Sequence, residues 1–136
     1  MTSAASTEEP RVRTILEELG IYVQLTGSRA ICPSACGPNS DWDFIGVVPN
    51  LVERAAQLLS DGWESGTSLK FTTNGTPIAL NGKFVSLKRG MVNLIITDDA
   101  KWRDDFMMAT RVATRLGLTI KSQRVDLFQA ILYGKG

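Results

Sequence analysis

Two short apolar runs, each ending or beginning in a fixed polar signature, constrain this chain more than any other feature. The first, Ile21-Tyr22-Val23-Gln24-Leu25, stops at Gly27-Ser28-Arg29; the second opens as Ser40-Asp41-Trp42-Asp43 and continues Phe44-Ile45-Gly46-Val47-Val48. Ile21 to Leu25 reads as a short β-strand and Trp42 to Val48 as a second, stopped by Pro49-Asn50. In a strand, residues two apart share a face. Asp41 and Asp43 therefore point to one side, and Trp42 and Phe44 to the other, into a core. Two carboxylates held side by side repel each other and cost folding energy unless a cation sits between them. Oxygen ligands of this kind suit Mg²⁺ or Mn²⁺. Gly27 permits a close backbone approach, and Ser28 offers a hydroxyl and an N–H at the start of a turn, a corner that can cradle phosphate. Arg29 adds positive charge nearby.

The chemistry open to such a chain is narrowed by what it lacks. There is no histidine among its 136 residues. Imidazole acid–base catalysis, Ser-His-Asp and Cys-His nucleophiles and the commonest zinc ligand are all removed. Cys32 and Cys36 are too few for a structural zinc site and read as a pair of reduced thiols. Lys+Arg 15 against Asp+Glu 14 leaves a net charge of +1, so any nucleic-acid contact would have to come from a local patch. Residues 1–10 carry neither a basic start nor an apolar centre, and no apolar run approaches the roughly 18 residues of a membrane span. A soluble, cytoplasmic protein without membrane contact is expected.

The remaining pattern predicts one domain over residues 8–136 behind a flexible tail at 1–7. Val12, Ile15, Leu16 and Leu19 have helical spacing, with Thr7 as cap, Pro10 in the first turn and Gly20 as stop. Residues 28–40 read as a loop holding at most one helical turn. Leu51 to Leu59 reads as a helix capped by Asn50. Between 63 and 90, β-prone pieces at Ser68–Thr73, Pro77–Leu80 and Lys83–Lys88 are separated by Asn74-Gly75 and Asn81-Gly82, both hairpin-turn pairs. Met91 to Ile96 is a strand, and Thr97, Asp98 and Asp99 are candidate caps for a helix from Lys101 to Leu116 closed by Gly117. Ser122 is expected to cap a last helix ending at Gly134. The fold class is thus α/β (α+β), a small mixed sheet with flanking helices.

Gly27-Ser28, the spacer through Cys32-Pro33-Ser34-Ala35-Cys36-Gly37-Pro38-Asn39, and Ser40-Asp41-Trp42-Asp43 together resemble the nucleotidyltransferase superfamily that includes DNA polymerase beta, the minimal nucleotidyltransferases and the antibiotic adenylyltransferases. The resemblance covers about residues 20–48, with the flanking element order agreeing as far as 116. It implies a nucleotidyltransferase-like fold in which Gly27 and Ser28 hold the β- and γ-phosphates of a nucleoside triphosphate, and Asp41 and Asp43 bind Mg²⁺ or Mn²⁺. The implied activity is transfer of a nucleoside monophosphate to a hydroxyl acceptor on RNA, protein or a small molecule. Members of the superfamily usually carry a third carboxylate on a later strand. The matching strand here holds Asn93, which is no general base. Asn93 is expected to hold a metal-bound water or the acceptor. Lys83, Lys88 and Arg89 form a basic cluster that is a candidate for phosphate or nucleic-acid contact, and Arg124 and Lys70 are candidates to reach the triphosphate or the acceptor. Two other functions stay open: a catalytically degenerate module that binds nucleotide or a protein partner, and a nucleic-acid-binding strand around Lys83, Lys88 and Arg89.

Overall fold

The structure, a computed structural model, describes residues 10–37, 39–65 and 84–134. The tail with Thr7, the segments 68–73 and 77–80, both Asn-Gly turns, Lys70 and Lys83 lie outside the described residues. Among the described residues, five helices and a five-stranded mixed sheet make the α+β architecture that the sequence predicts. In chain order these are α1 (Pro10–Leu19), β1 (Val23–Thr26), α2 (Gly27–Ile31), β2 (Trp42–Val47), α3 (Leu51–Ser60), β3 (Glu64–Ser65), β4 (Val85–Arg89), β5 (Val92–Thr97), α4 (Ala100–Leu116) and α5 (Lys121–Tyr133). A 3-10 turn, Pro33–Ala35, lies in the loop between α2 and β2.

The strands run in the order β1-β2-β5-β4-β3. β2 and β5 are parallel at the centre, and every other pairing is antiparallel. Directly paired residues present their side chains to the same face. The register therefore sorts the sheet into rows. Leu87, Leu94, Phe44 and Leu25 form one row, and all but the half-buried Leu25 are in the core. On the opposite face Glu64, Lys88, Asn93, Asp43 and Thr26 form a polar row across all five strands. One step inward the same face turns apolar at Ile95 and Ile45, both buried, and α4 packs on the strands that carry them.

Both faces of the central pair are covered, as a parallel pair requires. Trp42 and Phe44 point into the core as their phase predicts, at 3% and 8% exposure. α3 packs on β4 and β5, and Arg54 Nη2 ties it to α1 by donating to Leu19 O at 3.0 Å. A run of rings joins the strand entry to both C-terminal helices. Phe84 stacks on Trp102 at 5.0 Å, Trp102 meets Phe106 at 5.4 Å, and Phe106 meets Phe128 edge-on at 4.8 Å. Asp99 caps α4, its Oδ1 accepting from Trp102 N at 3.1 Å. Gly117 closes the same helix at φ +65°. The last helix departs from expectation at its start. It begins at Lys121 behind Ile120, and Ser122 lies inside its first turn rather than capping it. Asn50 stands at the cap position of α3 but makes no capping hydrogen bond through its side chain.

Candidate functional site

The polar row meets the loop corner after β1. Thr26 ends β1 and pairs with Asp43, so the chain turns into α2 immediately beside that carboxylate. Gly27 makes the turn at φ +69°, in the left-handed region that favours glycine. A Cβ at this position would overlap the Asp43 carboxylate and lie 2.8 Å from both Asp43 Cβ and Cγ. The Gly-Ser corner and the acidic strand are therefore contiguous, and they touch only because residue 27 has no side chain. Beneath the corner, Thr26 and Thr110 join β1 to α4 through a buried hydroxyl pair at 2.6 Å. Thr110 Oγ1 donates its proton to Phe106 O at 3.0 Å, so in that pair Thr26 is the donor.

Asp41 and Asp43 face the same side, and Asn93 lies between them in the third dimension. The register sets Asn93 directly opposite Asp43. Its Nδ2 donates to Asp41 Oδ2 at 3.2 Å and to Asp43 Oδ1 at 2.9 Å. Lys88 Nζ stands 3.7 Å from Asp41 Oδ2. Burial pushes the Asp43 carboxyl above its ordinary pKa. The Asn93 hydrogen bond opposes this, the Asp41 charge adds to it, and the Lys121 and Lys88 charges oppose it.

A cavity of about 420 Å³ opens over this cluster. Gly27, Ser28, Ser40, Asp41, Asp43 and Asn93 form its polar side. Its other wall is apolar, built from Ile31, Ile95, Phe106, Val125 and Phe128, and Lys121 and Arg124 of α5 stand on its rim. Of the residues singled out in the sequence, seven thus line one space: Gly27, Ser28, Ser40, Asp41, Asp43, Asn93 and Arg124. Lys88 and Arg29 are not part of that lining. Lys88 is engaged with Asp41. The Arg29 guanidinium lies over the Trp42 ring at 4.1 Å and donates to Ser40 O at 2.7 Å and Gly37 O at 3.2 Å. It braces the loop that delivers Asp41. Ser40 Oγ also holds this loop, accepting from Gly37 N at 3.1 Å. Arg124 Nη1 donates to Leu118 O at 3.1 Å and lies 3.8 Å from Cys32 Sγ. Asp98 is exposed beyond the far end of β5, opposite the end that carries Asn93, and Asp99 is occupied as a helix cap. Arg89 sits 3.8 Å from Glu18.

Sequence reasoning missed Lys121. With Ser122 read as the cap, Lys121 fell in a loop. As the first residue of α5 it shares a helix face with Arg124, three positions on, and the two point at one rim. It also missed the apolar wall, because nothing local distinguishes Phe106 and Phe128 from the other apolar residues of their helices.

Among the described residues no three Cys, Asp or Glu side chains gather as a cation cage, and no helix is long and apolar enough to cross a membrane. No protein-family model, curated protein or solved structure matches the chain.

Proposed function

We propose that this protein binds a nucleoside triphosphate together with a divalent cation and transfers the nucleoside monophosphate to a hydroxyl acceptor. The observation that carries the reading is the abutment of Gly27 on the Asp43 carboxylate. It supports a site in which phosphate oxygens at Gly27-Ser28 and a cation at Asp41 and Asp43 are close enough to share ligands.

The donor set fits Mg²⁺ or Mn²⁺. Such ions are commonly held by one or two carboxylates and complete their shell with water and substrate phosphate, rather than needing an all-protein cage. Asp41 and Asp43 would hold the ion, and when bound it would neutralise charge on the transferring phosphoryl group. The chain's own groups do the rest. Ser28 and its backbone N–H orient the terminal phosphates, with Lys121 and Arg124 on the rim as counter-charges. The apolar wall at Phe106, Val125 and Phe128 keeps water from one side of the substrate. In the reaction the acceptor oxygen bonds to the α-phosphorus and the bond from that phosphorus to the bridging oxygen breaks. Pyrophosphate leaves, and the acceptor proton passes to solvent, since the amide of Asn93 accepts none.

The test is incubation of the folded protein with each labelled nucleoside triphosphate, Mg²⁺ or Mn²⁺ and cell extract. The expected result is label on an acceptor and pyrophosphate release, both lost in Asp41→Asn/Asp43→Asn. No label and no pyrophosphate with any of the four nucleotides would count against transfer.

Asn93 favours a second reading, in which the same site binds nucleotide and cation without turnover. That reading predicts saturable, cation-dependent nucleotide binding with no pyrophosphate released.

A further inference from the structure

Asp41 and Asp43 set two carboxylates side by side, and the two flanks of the pair differ in kind. On one flank Asp43 meets Gly27, whose missing side chain leaves the carboxylate open to the cavity. On the other flank the chain supplies its own compensation. Asn93 Nδ2 bridges Asp41 Oδ2 at 3.2 Å and Asp43 Oδ1 at 2.9 Å, and Lys88 Nζ approaches Asp41 Oδ2 at 3.7 Å. The register gives this flank its order. Lys88 of β4 is paired with Asn93 of β5, and Asn93 with Asp43 of β2. β5 lies between β4 and β2, so the Lys88 stem crosses the strand that carries Asn93 to reach Asp41.

Resting on the reading of Asp41 and Asp43 as a divalent-cation site, we propose that the pair holds one divalent cation, on the flank facing Gly27 and Ser28, and that the Lys88 ammonium is the fixed counter-charge of the other flank. Two-ion sites set their cations about 3.5–4 Å apart and need anionic oxygens to hold both. The Asn93 flank offers a neutral amide in place of an anion, and an ammonium already in contact with Asp41. A second divalent ion there would meet the repulsion of that ammonium and gain no new negative ligand. Lys88 is in this sense a positioning residue. It balances Asp41 and keeps the first ion on the phosphate side, without itself reaching the cavity lining.

The probe is Mn²⁺ alone, with the free ion read by its electron paramagnetic resonance signal against the full chain, and folding followed by circular dichroism. Wild type is expected to bind one Mn²⁺ per chain. Lys88→Met, at a residue whose side chain is 39% exposed, is expected to tighten that ion by about two- to five-fold, the range of an exposed ion pair. Lys88→Arg, which keeps the charge, is expected to leave the affinity as in wild type. Asn93→Asp/Lys88→Met is expected to take up a second ion. Two ions in wild type, an unchanged affinity in Lys88→Met, or a single ion in a folded double variant would each overturn the proposal and leave the cation reading standing. If wild type took up no Mn²⁺, or if Asp41→Asn/Asp43→Asn bound it equally well, both would fall.

Discussion

The Asp43 carboxylate is wedged between the bare Cα of Gly27 and the amide of Asn93, and two predictions belong to that residue. Gly27→Ala puts a methyl group where the carboxylate now sits and forces alanine into a left-handed backbone. The backbone term alone costs about 1–3 kcal/mol, readable by denaturant titration. Displacement of Asp43 removes cation-dependent nucleotide binding as well. The second prediction concerns pH. Burial holds the Asp43 pKa above its unfolded value, so the folded chain binds that proton more tightly than the unfolded one. This group's contribution to stability is therefore fully present below the unfolded pKa. It declines as pH rises through the raised folded value, the reverse of a salt-bridged aspartate. Asp43→Asn is expected to flatten that decline and to melt above wild type at neutral pH. Cation uptake runs the other way, because protonated Asp43 is a poor ligand. Mn²⁺ affinity should fall on acidification already above the ordinary carboxylate range.

Between elements, the hydroxyl pair of Thr26 and Thr110 and the ring contact of Phe106 with Phe128 fix how β1, α4 and α5 enclose the cavity. Thr110→Val leaves the buried Thr26 hydroxyl without its acceptor, at about 1–3 kcal/mol. Thr26→Val/Thr110→Val, with both partners apolar, should cost less than the single changes added together, which a double-mutant cycle in urea would show. Phe106→Ala is expected to cost about 3–5 kcal/mol and to loosen α5 against α4. The same scale explains why some elements were legible and others were not. α4 could be read because its apolar spacing, Asp99 and Gly117 all agree. The start of α5 could not, because Ser122 is a good capping residue while the helix begins one residue earlier behind Ile120, whose side chain offers no cap. The short α2 is the one helical turn expected in the loop after β1, and only its first residue lay outside that reading. Gly27 begins it in a conformation that local propensity assigns to a turn.

For the whole molecule, the sequence carries the ingredients of the candidate site but not their order across the sheet. Gly27-Ser28 and Asp41-Trp42-Asp43 stand out by spacing and by strand phase. Nothing local states that β5 lies beside β2 and that Asn93 therefore faces Asp43, or that Lys88 reaches across to Asp41. Those facts come from the pairing of β5 with β2 and with β4, and the apolar wall and the rim cations come from helices packed over the sheet. The measurement closest to the central claim is calorimetric titration of the wild-type chain with a non-hydrolysable nucleoside triphosphate, with and without Mg²⁺, alongside Asp41→Asn/Asp43→Asn. Saturable binding that requires Mg²⁺ and weakens by about 100-fold or more in the double variant, on the order of 3 kcal/mol, is the predicted result. Binding that is absent, or equal in the two proteins and indifferent to Mg²⁺, would contradict it.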